Sequence, residues 1–242
     1  MALLDQSAVV FGASGSIGSA LVRQLAASGQ YGTVYAGARG PLLDLPKGAA
    51  AFQFELTDEE TIAAAARSFA APPALVIVAT GTLHDPSRGI APEKSWRMID
   101  PAAMARLMAI NVIGPALIAK HLLPLLPRDR RAVFAALSAR VGSISDNRLG
   151  GWHSYRAAKA ALNMLVANFA IECRRSHPLA VIAAVHPGTV DTALSAPFRR
   201  GLPEGQVQPP AAAAAALLAT LAKLSPDQSG GLYAWDGSRL PW

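Results

Sequence analysis

With 242 residues, 52% of them hydrophobic and 16% charged, the chain can bury a sizeable core, and α/β units of this length often form one domain. Its formal charge of +6 is spread over scattered basic residues, the densest run being Arg128-Asp129-Arg130-Arg131, which argues for a solvated basic surface and against a nucleic-acid partner. The single cysteine, Cys173, excludes an internal disulfide, and the opening MALLDQSAVVFGASG lacks the charged n-region and cleavage pattern of a signal peptide, so a reducing cytoplasm is the expected location.

Short β-type runs alternate with longer helical ones. A strand over 7–12 (SAVVFG) ends in glycine and leads into a helix over 17–28; further strands are predicted over 33–38 and 52–56. Thr57, followed by acids, caps a helix over 60–69, and the run 75–79 (LVIVA) is nearly all apolar, as buried parallel strands are. A helix over 101–123, a strand over 132–138, a helix over 153–175, a strand over 180–185, an alanine-rich helix over 209–223 and a last strand over 231–235 complete the pattern. The apolar stretch 211–222 is short of the roughly 20 residues that a membrane span needs, so no membrane association is expected. Repeated strand-helix-strand order predicts one α/β domain over 1–242, a doubly wound parallel sheet with helices on both faces. The stretches 82–100 and 191–208 read as loops after the carboxyl ends of strands, the edge where ligands bind in such sheets.

Three motifs carry chemistry. In VVFGASGSIGSALV (9–22) a strand passes through Gly12, Gly15 and Gly18 into a helix, with Ser14, Ser16 and Ile17 at the turn. Glycines there permit close backbone approach to a pyrophosphate, and the helix start offers it free N–H groups; a turn serving only packing is the plainer alternative. Arg39 ends the second strand, where an acid binding the adenosine ribose could have stood; its guanidinium suits a 2′-phosphate and favours NADP(H) over NAD(H). A solvated strand-end arginine would look the same. In SYRAAKAALNML (154–165), Tyr155 and Lys159 share a helix face, and an ammonium beside a phenol favours the phenolate, fitting Tyr155 for proton transfer to a carbonyl. The Y-x-x-x-K spacing alone is common by chance.

Together these motifs make the chain resemble the short-chain dehydrogenase/reductase family over essentially its whole length. The phrases PEKSW, LSARVGSI and YAWDGSRLPW are most similar to the branch of C-factor-like proteins and related carbonyl reductases. The resemblance implies a Rossmann-type fold, Tyr155 as acid and base, Lys159 on the nicotinamide ribose, and Asn111 of INVIGPALIAKHLLPLL completing a proton relay through a water. It also implies that Pro187, Gly188, Val190 and Thr192 of HPGTVDT border the nicotinamide amide, and that Glu55 and Leu56 contact the adenine end. Val78-Ala79-Thr80-Gly81 replaces the family's Asn-Asn-Ala-Gly, leaving Thr80 or other packing to brace the sheet, with Ala79, Thr80 and Gly81 still beside the cofactor. Phe11 and Ser16 replace the usual threonine and second glycine of the nucleotide loop.

The family's Ser-Ser-x-x-Gly segment, aligned on Gly142, puts Ala139 at the catalytic serine position. Three alternatives stand open: Ser138 turns into the site, Ser143 substitutes from the following loop, or no serine takes part. The five histidines lack metal spacing, so no metal is predicted. The apolar helices over 101–123 and 153–175 imply, by the same resemblance, a homodimer or homotetramer. Trp152 and His153 line the substrate entrance or pack over the helix start. The expected function is NADP(H)-dependent reduction of a small-molecule carbonyl; the alternative is a non-catalytic dinucleotide-binding regulatory or signalling protein on the same fold.

Overall fold

The computed structural model describes residues 3–203 and 205–242. Its strands are β1 (Leu3–Phe11), β2 (Tyr31–Ala38), β3 (Ala49–Gln53), β4 (Pro73–Val78), β5 (Ala132–Leu137), β6 (Ala180–His186), β7 (Thr189–Val190), β8 (Val207–Gln208), β9 (Leu232–Ala234) and β10 (Arg239–Leu240). Eight of them form one sheet in the order β10-β9-β6-β5-β4-β1-β2-β3, parallel throughout except for β10 against β9. The chain winds outward from β1 to β3, then returns to β4 on the other side of β1. That reversal opens a crevice at the carboxyl ends of β1 and β4.

The helices are α1 (Ser16–Ser28), α2 (Glu59–Ser68), α3 (Pro101–Met108), α4 (Gly114–Leu122), α5 (His153–Cys173) and α6 (Pro210–Lys223). Alternation along the strands feeds two cores. Val9, Phe11, Phe134 and Ala136 face α2, α4 and α5, whereas Ala8, Val10, Val133 and Ala135 face α1 and α6. The stretch Pro101–Leu125 is long and apolar enough to cross a membrane by composition; here Ile118, Ala119 and Leu122 of its α4 part lie in the first core.

Several boundaries depart from expectation: β1 begins at Leu3 and not at residue 7, and α2 is capped by Asp58, which accepts from the Glu60 N–H, while the Thr57 hydroxyl donates to Glu55 instead. Strand β3 begins three residues earlier than 52, because pairing with β2 from Val34↔Ala49 to Ala38↔Gln53 sets its span regardless of the weak β-propensity of alanine. The helix predicted over 101–123 is interrupted by a π-helical turn at Ala109–Ile113, which carries Asn111.

Candidate active site

At the end of β1, Gly12 adopts φ +90°, and the backbone N–H groups of Gly12 and Ala13 both donate to the Gly37 carbonyl of β2. A Cβ on Gly18 would lie 2.1 Å from the Gly12 carbonyl oxygen, so the loop folds against the first turn of α1 only because both positions are bare. Helix α1 starts at Ser16 with no side-chain cap and no acid in its first turn, so its first N–H groups stay open to an anion. Across the crevice, the Thr80 hydroxyl is buried without a partner; it does not brace the sheet, and instead offers a polar atom to a ligand. A bare glycine loop, an uncapped helix start and an orphaned hydroxyl fit a bound dinucleotide. Around them stand Arg39, exposed at the end of β2 with its carbonyl accepting from Gln53; Glu55, accepting from Thr57; and Leu56, packed under Gly114 of α4.

Asn111 is fully buried and latches the loop after β4. Its Nδ2 donates to the carbonyls of Thr82 (2.8 Å) and Leu107 (3.0 Å), and its Oδ1 accepts from the Thr82 N–H. Lys159 lies beside it, because a Cβ placed on Gly81 would meet Asn111 Oδ1 at 3.1 Å and Lys159 Nζ at 3.4 Å. Lys159 Nζ donates to the Leu137 carbonyl at 2.9 Å and sits 5.6 Å from the centre of the Tyr155 ring. Burial pushes the Lys159 ammonium down to about 8 and raises the Tyr155 phenol above its ordinary value. The expected lowering of Tyr155 by Lys159 is therefore outweighed by desolvation when no cofactor is bound.

Tyr155 lines a cavity of about 860 Å³ that extends from Ile17 in the first turn of α1 past Ala139 to Pro187, Gly188, Val190 and Thr192. The structure places the residues of each serine alternative. Strand β5 stops at Leu137; Ser138 lines the cavity alongside Ala139 and Tyr155, and donates its hydroxyl to Asn163 Oδ1 at 2.6 Å. Ala139, extended like the strand before it, joins Tyr155 and Leu83 in a small apolar cluster. Ser143 is buried and accepts from the Asp146 N–H, outside the cavity wall. Trp152 is at the cavity, packed on Phe198 with ring centres 5.0 Å apart.

One positioning residue escaped sequence reasoning. Glu93 is 4% exposed, its carboxylate accepts from the hydroxyl and N–H of Ser154, and its carbonyl accepts from the Trp152 N–H at 2.6 Å. It thereby clamps the start of α5 one residue before Tyr155 and holds Trp152 at φ +51°, a left-handed conformation that a bulky residue rarely adopts. A carboxylate at a helix N-terminus is favoured by the helix dipole. Glu93→Ala would strand two buried donors at a cost of about 2 kcal/mol, and thermal denaturation should register it as a Tm lower by about 4–8 °C. Glu93→Gln, which keeps an acceptor, should recover most of that loss.

Comparison with known proteins shows the family and the fold. The short chain dehydrogenase family matches residues 6–202. The chain is 31% identical to the C-signal of Myxococcus xanthus over 144 residues, covering 60% of this chain and 81% of that protein. It is 32% identical to the cis-4-hydroxycyclohexanecarboxylate dehydrogenase of Sinomonas cyclohexanicum over 213 residues, covering 84% and 78%. Among solved structures, the NADPH-bound carbonyl reductase from chicken fatty liver superposes with a TM-score of 0.83 at 26% identity, covering 98% of this chain and 94% of that one.

Proposed function

Because the chain belongs to the short chain dehydrogenase family, we propose that this oxidoreductase reduces an aldehyde or ketone to the alcohol with NADP(H), using Tyr155 as general acid and base. The observation that carries this reading is the placement of buried Tyr155 on the same cavity as Ile17, in the first turn of α1 after the nucleotide loop, and the Pro187–Gly188 segment. When bound, the nicotinamide supplies the hydride. Tyr155 Oη gives its proton to the carbonyl oxygen, or takes one from the alcohol in reverse. Lys159 has one N–H on the Leu137 carbonyl and keeps two for ribose hydroxyls, and its charge opposes the effect of burial on the phenol. Asn111 fixes the Gly81–Thr82 backbone beside Lys159, while Leu83, Trp152 and Phe198 exclude water from the phenol. The reading is tested by NADPH consumption over a panel of aldehydes, ketones and quinones; a panel without turnover overturns it.

Two observations favour NADP(H) over NAD(H). The exposed Arg39 guanidinium has no carboxylate partner among the described residues, and the chicken carbonyl reductase is NADPH-bound. In a fluorescence titration Arg39→Ala should weaken NADPH about tenfold or more and leave NADH unchanged, as loss of a charge-assisted contact to a 2′-phosphate would. Equal effects on the two cofactors would sink the assignment.

The same proposal includes one domain over 1–242, a cytoplasmic location, and a homodimer or homotetramer. Ile113, Met164 and Ile171, apolar and exposed, would lie between the subunits. A second reading, a dinucleotide-binding regulator without turnover, is favoured by Ala139 beside Tyr155 and by the likeness to the C-signal.

A further inference from the structure

We propose that the carbonyl substrate carries a carboxylate, held at the cavity wall by Arg148 and Arg156; this rests on the reductase reading above. The charged groups lining the cavity are three guanidinium groups, Arg140, Arg148 and Arg156, and one carboxylate, Asp146. Asp146 is already engaged by Arg140 at 2.6 Å. Neither Arg148 nor Arg156 forms an ion pair among the described residues, although Asp146 is near enough to Arg148 for the two charges to interact. Backbone oxygens alone hold them: Arg148 Nη1 donates to the carbonyls of Ser145 (2.8 Å) and Asn147 (3.2 Å), and Arg156 donates through Nε to Gly151 (3.1 Å) and through Nη1 to Val141 (3.2 Å). These anchors fix the planes of both guanidinium groups and leave further N–H donors on each, the fork geometry that suits a carboxylate.

The rest of the cavity agrees. Arg199, next in sequence to the lining residue Phe198, is paired with Asp191. His186, on the same wall, is pushed down to about 4 by burial and by Arg140, so it neither adds to nor cancels the positive field at neutral pH. Also lining the cavity, Leu83, Trp152, Leu194 and Phe198 pack into an apolar cluster with Tyr155. The cavity thus suits an apolar body with a carbonyl at one point and an anion at another. An anion held so anchors the substrate and orients its carbonyl toward Tyr155.

The test compares 4-acetylbenzoate with its methyl ester, with NADPH as reductant. The wild type should favour the acid by about tenfold or more in kcat/KM, as a hydrogen-bonded charge pair in a partly enclosed site implies, and added salt should shrink the preference. In an Arg148→Gln/Arg156→Gln double variant the acid-to-ester ratio should fall toward one. Turnover of both compounds with no preference in the wild type, or a preference the double variant retains, overturns the carboxylate assignment and leaves the reductase reading standing. Should neither compound turn over, quenching of the cavity tryptophans Trp152 and Trp235 decides through binding alone. Tighter binding of the acid, lost in the double variant, supports the assignment; equal binding of acid and ester overturns it.

Discussion

Tyr155→Phe is expected to lower kcat/KM for NADPH-driven carbonyl reduction by about 10²–10⁴-fold, the range for removing a positioned general acid, without loss of stability or of cofactor affinity. The two halves of that expectation have one cause. Burial raises the phenol, no hydrogen bond among the described residues holds it, and Tyr155 lines the cavity. Removing it leaves no buried partner stranded. Ser138→Ala should behave differently, costing stability through Asn163, whose amide oxygen would lose its donor, and costing little in turnover. A Ser138→Ala loss of about 100-fold would show that the hydroxyl swings off Asn163 to act as an oxyanion-type donor. Unchanged turnover in Tyr155→Phe would remove the basis for the proposed mechanism and favour the regulator.

The parts of the fold and site that were legible in the sequence are those set by local pattern. The apolar runs of β4 and β5 are buried at every position, and the glycines of the first turn make the close approaches their spacing implied. Tyr155 and Lys159 share a face because four residues make about one helical turn. What was not legible depends on contacts distant in sequence. The span of β3 follows from its partner strand, since Ala49, Ala50 and Ala51 carry no strand signal. Strand parity could not decide between Ser138 and Ala139, because the two residues after the end of β5 both line the cavity. Glu93 reaches Ser154 across 61 residues from a stretch read only as loop. The PEKSW phrase carried family likeness with no hint of that contact. The arginines at the cavity wall were equally silent, since anchoring by carbonyl groups leaves no mark on residue type.

Lys159 should show the opposite balance to Tyr155, with function and stability pulling apart. Its ammonium is 3% exposed and pushed down from 10.5 to about 8 by burial, with the Leu137 carbonyl as its hydrogen-bond acceptor. Between those two values the unfolded chain holds the proton more tightly than the folded one, so this group makes stability rise with pH across that window. Below about 8 the cost of burying the charge is present in full, on the order of 3 kcal/mol from the size of the shift. Lys159→Met removes the charge at every pH, so the difference in unfolding free energy between variant and wild type, measured without cofactor, should move toward the wild type by about that amount from pH 7 to pH 10.5. The raised Tyr155 phenol and Cys173 thiol act in the opposite sense above their ordinary values, yet they are common to both proteins and cancel in the difference. At pH 7 the orphaned Leu137 carbonyl offsets part of the gain, which makes the pH dependence a cleaner measure than a single melting temperature. Turnover should fall by at least about 100-fold, since the charge beside the phenol is gone along with the donors kept for the ribose. A pH-independent difference would mean that Lys159 is neutral or well solvated in the folded chain. An unchanged rate would mean that burial alone sets the Tyr155 proton affinity during reaction.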